Sequence, residues 1–183
     1  MMFELHTAEA ARAADPASAV RAGQPRGGIL VRAREAEVLD GDPTSVITLL
    51  AETATTGGVV TANRSLLRKG STGAPPHYHE RSDELFYVLG GTLRVLLGDE
   101  VLTLRTGDFL LVPPFMPHAF APAVDVDADV FFAFLPGSPR FDYFRMLDDI
   151  HRGHATLDDL KGTEGWFDNH YVESPLWAET LAD

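Results

Sequence analysis

Three histidines and one glutamate are spaced along this chain so that they could bind a single metal ion. His77 and His79 are separated by one residue, Glu84 follows five residues later, and His118 belongs to a separate segment. Side chains alternate across a β-strand, so His77 and His79 would point to the same face of an extended segment. Imidazole and carboxylate ligands suit Fe, Mn, Co, Ni, Cu or Zn and can leave coordination positions open. The four residues predict a metal centre.

The elements around these residues have to bring them to one point. The polar segment 80–83 predicts a turn, which resets the alternation before Glu84. Glu84 then opens an apolar run that ends at Gly90 and Gly91, as expected for a strand. His118 follows a proline-rich segment, 113–117, and opens another strand. Two strands of one sheet, or of facing sheets, could therefore present all four side chains together.

A simpler interpretation of the same residues is that they have no ligand role. A single histidine in a β-rich protein is more often a core or surface residue, and His77 and His79 follow two prolines, so they could lie on a loop. The order of three histidines, one glutamate and flanking glycines favours metal binding over a barrel that holds no metal.

The two segments resemble the paired motifs of the cupin superfamily, G-x5-H-x-H-x3,4-E-x6-G and G-x5-P-x-G-x2-H-x3-N. The first motif has one extra residue between Gly70 and His77. The second matches at Gly107, Pro113 and His118, whereas Phe115 replaces the usual glycine and Pro122 the usual asparagine. Neither difference removes a metal ligand. The resemblance implies an all-β fold, the cupin double-stranded β-helix or jelly-roll barrel.

The pattern of short apolar runs divides the chain into three parts. Residues 1–28 predict a partly mobile arm with a short helix over 4–14. About ten short strands, the first over 29–31, are expected within 29–136, which forms the barrel. Residues 137–183 predict short helices and an aromatic tail that packs on the outside of the barrel or on a partner subunit.

Within the superfamily the chain resembles most the single-cupin bacterial quercetin 2,3-dioxygenases. The resemblance rests on the His77 to Val88 segment, on 117–120, and on the segment 136–144 that opens a helix after the barrel. It implies one divalent metal held by His77, His79, Glu84 and His118, with Glu84 also accepting the substrate's hydroxyl proton. In that family O2 adds across the flavonol heterocycle, releases carbon monoxide and leaves a depside ester.

Aromatic residues near the four ligands predict an apolar substrate pocket. Strand alternation places Phe86 and Val88 on the face of Glu84, and Phe120 on the face of His118. An apolar cavity beside a metal suits a flat aromatic or polyketide-like substrate. The ligand strands contain only two cations, both expected to face outward, which disfavours phosphosugars and small dicarboxylates. Further candidates for this pocket are Phe115, Phe132 and Phe134.

Composition limits the remaining possibilities. At 183 residues the chain is long enough for one well-packed domain, and its net charge of -12 disfavours nucleic acid as a partner. There are no cysteines, which excludes disulfides and thiolate ligands, and no apolar run approaches a membrane span. We therefore expect a cytoplasmic protein, and the resemblance to small cupins implies a homodimer.

Three functions remain open from the sequence. The first is O2-dependent cleavage of a flavonol-like or other aromatic enol. The second is a redox-neutral cyclisation or isomerisation of a polyketide-like ring that uses the metal as a Lewis acid. The third is binding of a small molecule without catalysis, because cupin folds host all of these activities.

Overall fold

A computed structural model describes residues 27–182 of the chain. The helix expected over 4–14, and nearly all of the predicted N-terminal arm, lie outside the described residues. The strand expected over 29–31 is wrong, because these residues form no ladder and Ile29 and Leu30 are exposed.

Ten strands, four α-helices and one short 3₁₀-helix make up the described part. The strands are β1 (Val38–Leu39), β2 (Ser45–Ala51), β3 (Thr61–Leu67), β4 (Ala74–Tyr78), β5 (Asp83–Leu97), β6 (Glu100–Arg105), β7 (Phe109–Val112), β8 (His118–Pro122), β9 (Ala128–Leu135) and β10 (His170–Tyr171). The helices are α1 (Thr53–Thr56), α2 (Arg140–His151), the 3₁₀-helix (Leu157–Leu160), α3 (Glu164–Phe167) and α4 (Pro175–Ala182).

All the strand pairs are antiparallel and form two sheets that share β5. The first half of β5 pairs with β9 and β7, and β9 continues the sheet through β3 and β2 to β1. The second half of β5 pairs with β6 and β8, and β8 continues through β4 to β10. The prediction of an all-β fold followed by short helices is confirmed.

The bend that lets β5 serve both sheets lies at the glycine pair. Pairing with β9 shifts register between Val88 and Gly90, and Gly91 has a φ of 76°. A Cβ added to Gly91 would lie 1.9 Å from the carbonyl oxygen of Asp127, so only glycine fits there. The inner faces of the two sheets enclose a core that includes Phe86, Val88 and Val95.

Several predicted short runs merge into longer strands. The strand that was expected to end at Gly90 and Gly91 continues through them to Leu97 as β5, and β3 is one strand over Thr61–Leu67. A full strand over β4 was not predicted, because Pro75 and Pro76 lie within it. Across residues 27–182, no helix has the length and apolarity that crossing a membrane requires.

Candidate metal centre and adjoining cavity

The four predicted ligands come from three neighbouring strands and one loop. His77 of β4 lies directly opposite His118 of β8, and Glu84 lies near the start of β5. His79 directly follows β4, where a bend over residues 80 and 81 leads into β5. This bend is the turn that the polar segment predicted, and it allows Glu84 to face the histidines.

All four side chains are buried and close together. His77, His79, Glu84 and His118 are each at most 3% exposed. Their ligand atoms lie within 4.8 Å of one another, and they form a group that could hold a metal ion. Donors around one ion at about 2.1 Å lie about 3 to 4 Å apart. Only small side-chain movements would therefore be needed to close this group around an ion.

The backbone fixes which nitrogen of each histidine faces the centre. Nδ1 of His77 lies 2.8 Å from the carbonyl oxygen of Pro75, and Nδ1 of His118 lies 2.9 Å from that of Met116. Nδ1 of His79 donates to the carbonyl oxygen of Asp168. A carbonyl can only accept, so each Nδ1 carries the proton and each neutral ring keeps its Nε2 lone pair.

The three histidine nitrogens and the Glu84 carboxylate therefore suit a metal cation. Oε2 of Glu84 lies 2.8 Å from Nε2 of His118 and 3.1 Å from Nε2 of His79. In the neutral tautomers set by the backbone, these contacts bring lone pairs against a carboxylate. Either a proton on Nε2 or a shared metal ion would have to relieve this repulsion, and the backbone-anchored Nδ1 arrangement is typical of metal-binding histidines.

Burial and the neighbouring charges set the electrostatics of the centre. Burial lowers the pKa of His77 well below its ordinary value, and its neighbours His118, His79 and Arg140 lower it further. Burial alone would raise the pKa of Glu84, but the contacts of its carboxylate with Nε2 of His118 and His79, where these nitrogens are protonated, outweigh burial and hold that pKa well below the ordinary range. The centre therefore favours a neutral His77 and an ionised Glu84.

A cavity of about 490 Å³ opens beside the four side chains, and His77 and Glu84 form part of its wall. One side is apolar and includes Phe120, Phe132 and Phe134. The other polar or aromatic residues of the wall include Asn63, Ser65, Arg140, Tyr143, Asn169 and Tyr171. A molecule in this cavity would contact both the candidate metal centre and an aromatic surface.

The predicted pocket residues occupy three different environments. Phe120, Phe132 and Phe134 line the cavity. Phe86 and Val88 are fully buried beneath its floor, where the Phe86 ring packs edge-on against Phe120 and Phe132. Phe115 lies outside the cavity and is 65% exposed, because a φ of 62° turns it outward to pack near Tyr78.

The C-terminal extension supplies cavity residues that the sequence did not predict. Arg140 and Tyr143 come from α2, and Asn169 and Tyr171 come from the segment around β10. The tail was expected only to pack on the barrel or a partner, and charged groups were expected to be scarce in the pocket. An arginine at the start of a helix with an apolar face was the available signal, but the direction of its side chain could not be read from spacing.

Comparison with known protein families supports the same architecture. A model of the cupin domain matches residues 63–134, which include all four candidate ligands. Protein SchB from Streptomyces halstedii is 36% identical over 102 residues, which are 56% of this chain and 71% of SchB. The polyketide synthase CurC from Streptomyces cyaneus is 33% identical over 100 residues, 55% of this chain and 62% of CurC.

Solved structures give the same result for the fold. KdgF from a Halomonas species superimposes with a TM-score of 0.55 and 25% identity over 63% of this chain and 99% of KdgF. With this likeness and the family match, the prediction of a jelly-roll barrel is confirmed.

Proposed function

Given that this chain belongs to the cupin superfamily, we propose that it is a metal-dependent enzyme that cleaves a flat aromatic enol with O2, as quercetin 2,3-dioxygenases do. The observation that carries this proposal is the position of the buried ligand group at the wall of an aromatic cavity. The substrate is of flavonol or aromatic polyketide type.

His77, His79, Glu84 and His118 would hold the ion. When bound, a divalent transition metal would supply Lewis acidity toward the substrate oxygen and, where it is redox-active, reactivity toward O2. The ion is Fe, Ni, Mn, Co, Cu or Zn, because this donor set serves all six.

Glu84 is the candidate catalytic residue. It lines the cavity together with His77, whereas His79 and His118 lie behind them and are not part of the cavity wall. A substrate hydroxyl that enters the cavity can therefore reach the Glu84 carboxylate, which accepts its proton. Oε2 of the same carboxylate lies 3.1 Å from Nε2 of His79 and 2.8 Å from Nε2 of His118, and a proton or metal ion between these atoms would fix its direction.

The aromatic wall would orient the substrate ring. The ring centroids of Phe120 and Phe132 lie 4.9 Å apart and the two rings are tilted. The ring of Phe86 packs edge-on against both. Rings held in this way are rigid, so a flat substrate would slide along them with its hydroxyl toward Glu84.

The second candidate is a redox-neutral cyclisation or isomerisation. It is favoured by the similarity to a protein named polyketide synthase CurC. The same residues would take part, because an enolisable ring needs a base and an electrophile in both reactions. The two candidates differ in whether O2 is consumed.

The test combines metal analysis with two turnover assays. Untagged protein is analysed for bound metal, and quercetin and an aromatic poly-ketone are then incubated with it in air and under nitrogen. Oxygen uptake with the flavonol, lost in His118→Ala, supports the dioxygenase. Turnover of the poly-ketone under nitrogen supports the cyclase instead. Protein that binds no metal even after reconstitution would overturn both proposals.

A further inference from the structure

Arg140 is a buried cation in the cavity wall. It begins α2, is 4% exposed and lies among the cavity-lining residues. Its guanidinium packs over the rings of Phe134, Tyr143 and Phe144 at 4.8, 4.3 and 5.1 Å from their centroids. These contacts hold the charge in place but do not neutralise it.

The protein gives this guanidinium only weak polar partners. Nη1 donates to Oδ1 of Asn169 at 3.1 Å and to the carbonyl oxygen of Phe167 at 3.5 Å. Nε has no hydrogen-bond partner, and within residues 27–182 no carboxylate forms an ion pair with Arg140. A buried charge with no carboxylate in direct contact is costly, so an anionic group that makes this contact would bind favourably.

Two further polar side chains of the wall are also incompletely satisfied. Nδ2 of Asn169, a residue 3% exposed, has no partner, and neither has Oδ1 of Asn63, a residue 1% exposed. Nearby, the hydroxyls of Tyr143 and Tyr171 bond to each other at 2.7 Å. Nε of Arg140 and Nδ2 of Asn169 are therefore two unpartnered donors on residues that contact each other, which favours an anionic oxygen as the ligand.

This polar group lies next to the candidate metal centre. The ring of Phe134 contacts the edge of the His79 ring, with centroids 5.4 Å apart, and it also carries the Arg140 guanidinium. A single phenyl ring thus separates the cation from a candidate ligand. A flat aromatic molecule that contacts Arg140 would therefore lie close to the candidate metal centre.

We propose that Arg140, with Asn169, anchors an anionic oxygen of the substrate, so that the preferred substrate is an aromatic acid or acidic enol rather than a neutral ring. This proposal rests on the proposed function, which places the reacting end of the substrate at Glu84. It adds that the opposite end of the substrate carries the anionic oxygen. The apolar wall selects the flat ring system, and Arg140 sets which edge of the ring points away from Glu84.

The test is a calorimetric titration of the protein as purified with two matched pairs of probes. One pair is 3-hydroxy-2-naphthoate and its methyl ester, which differ in a carboxylate. The other is 2-hydroxy-1,4-naphthoquinone and its 2-methoxy ether, which differ in an acidic enol. We expect the anion of at least one pair to bind at least about tenfold more tightly than its neutral partner. The pair that shows the preference identifies a carboxylate or an enolate as the anionic group.

Variants separate Arg140 from the metal centre. Arg140→Gln is expected to abolish the preference while leaving the affinity for the neutral partner unchanged, and Arg140→Lys to keep part of it. The unchanged neutral affinity shows that the cavity is intact in a folded variant. His118→Ala is expected to keep the preference for the anion. Equal binding of both members in each pair, or a preference that survives in Arg140→Gln, would overturn the proposal; its loss in His118→Ala would then assign it to the metal centre.

The two proposals fail in different ways. If no turnover is found but the Arg140-dependent preference is measured, the reaction is wrong and the anion site remains. If oxygen uptake occurs without any preference for anions, the enzyme assignment remains and Arg140 only fastens the C-terminal extension through Phe167 and Asn169.

Discussion

The backbone carbonyl of Asp168 accepts a hydrogen bond from Nδ1 of His79, across 89 residues of chain. The Asp168 side chain, which is 1% exposed, accepts from the backbone amides of Glu80 at 2.9 Å and Arg81 at 3.1 Å. One residue of the extension therefore holds both the candidate ligand and the bend that follows it. Positioning groups of this kind tune metal affinity strongly.

We predict that Asp168→Ala weakens metal binding by about 10- to 100-fold and lowers the free energy of unfolding by about 1–3 kcal/mol. The amides of Glu80 and Arg81 lose their acceptor, and alanine is disfavoured at the φ of 56°. Asp168→Asn is the comparison variant, because asparagine tolerates this φ and keeps one of the two acceptor oxygens, so smaller losses are expected. Metal titration and urea unfolding of both variants check this; equal losses in both would contradict it.

A second prediction separates ligation from proton transfer at the centre. Glu84→Gln keeps the size of the side chain and one oxygen that can bind a metal, but the amide cannot take up a proton from the substrate. We expect it to retain part of the metal and to lose turnover by about 100-fold or more. His79→Ala is expected to lose the metal, because it removes a ligand.

Elemental analysis and initial rates measure these two effects. His154→Ala is the control, since this histidine is 68% exposed in its side chain and lies outside the ligand group. Equal activity of Glu84→Gln and the unaltered protein would remove the proposed role of Glu84 as a base.

The sequence predicted the four-residue group and the barrel because both depend on local patterns. Strand alternation predicted that His77 and His79 share a face, and the polar turn before Glu84 predicted that its side chain faces the same histidines. The polar half of the cavity was missed because it depends on contacts between distant segments. Arg140 lines the cavity because α2, which follows β9, packs against the barrel. The hydrophobic periodicity of a helix does not predict where that helix packs. Phe115 was misplaced because alternation does not extend through a residue with positive φ.

A third prediction concerns the bend in β5. Gly91→Ala is expected to lower the free energy of unfolding by at least about 2 kcal/mol, since it combines a φ of 76° with a clash against the Asp127 carbonyl. Gly90→Ala is the matched control, because its nearest new contact would be an ordinary 3.7 Å to the Asp129 side chain. Urea unfolding curves of the two variants provide the measurement. Similar midpoints would show that the bend does not depend on Gly91.

The fourth prediction concerns assembly, which the resemblance to small cupins implies and which the outer face of the first sheet supports. Tyr87 pairs directly with Phe109, and both are exposed, by 41% and 59%. Leu89 and Leu111, each two residues further along its own strand, are also exposed. These four residues form an apolar face on adjacent strands, and such a face is unfavourable in water unless it is covered.

We propose that a second copy of this chain covers that face. Light scattering after size-exclusion chromatography is then expected to give twice the chain mass of 19.9 kDa. Phe109→Glu is expected to give the single-chain mass, because the interface would have to bury a charge. Val124→Glu is the control, since Val124 is 57% exposed and outside the apolar face. A dimer that persists in Phe109→Glu would place the interface elsewhere, and a monomeric unaltered protein would refute the dimer.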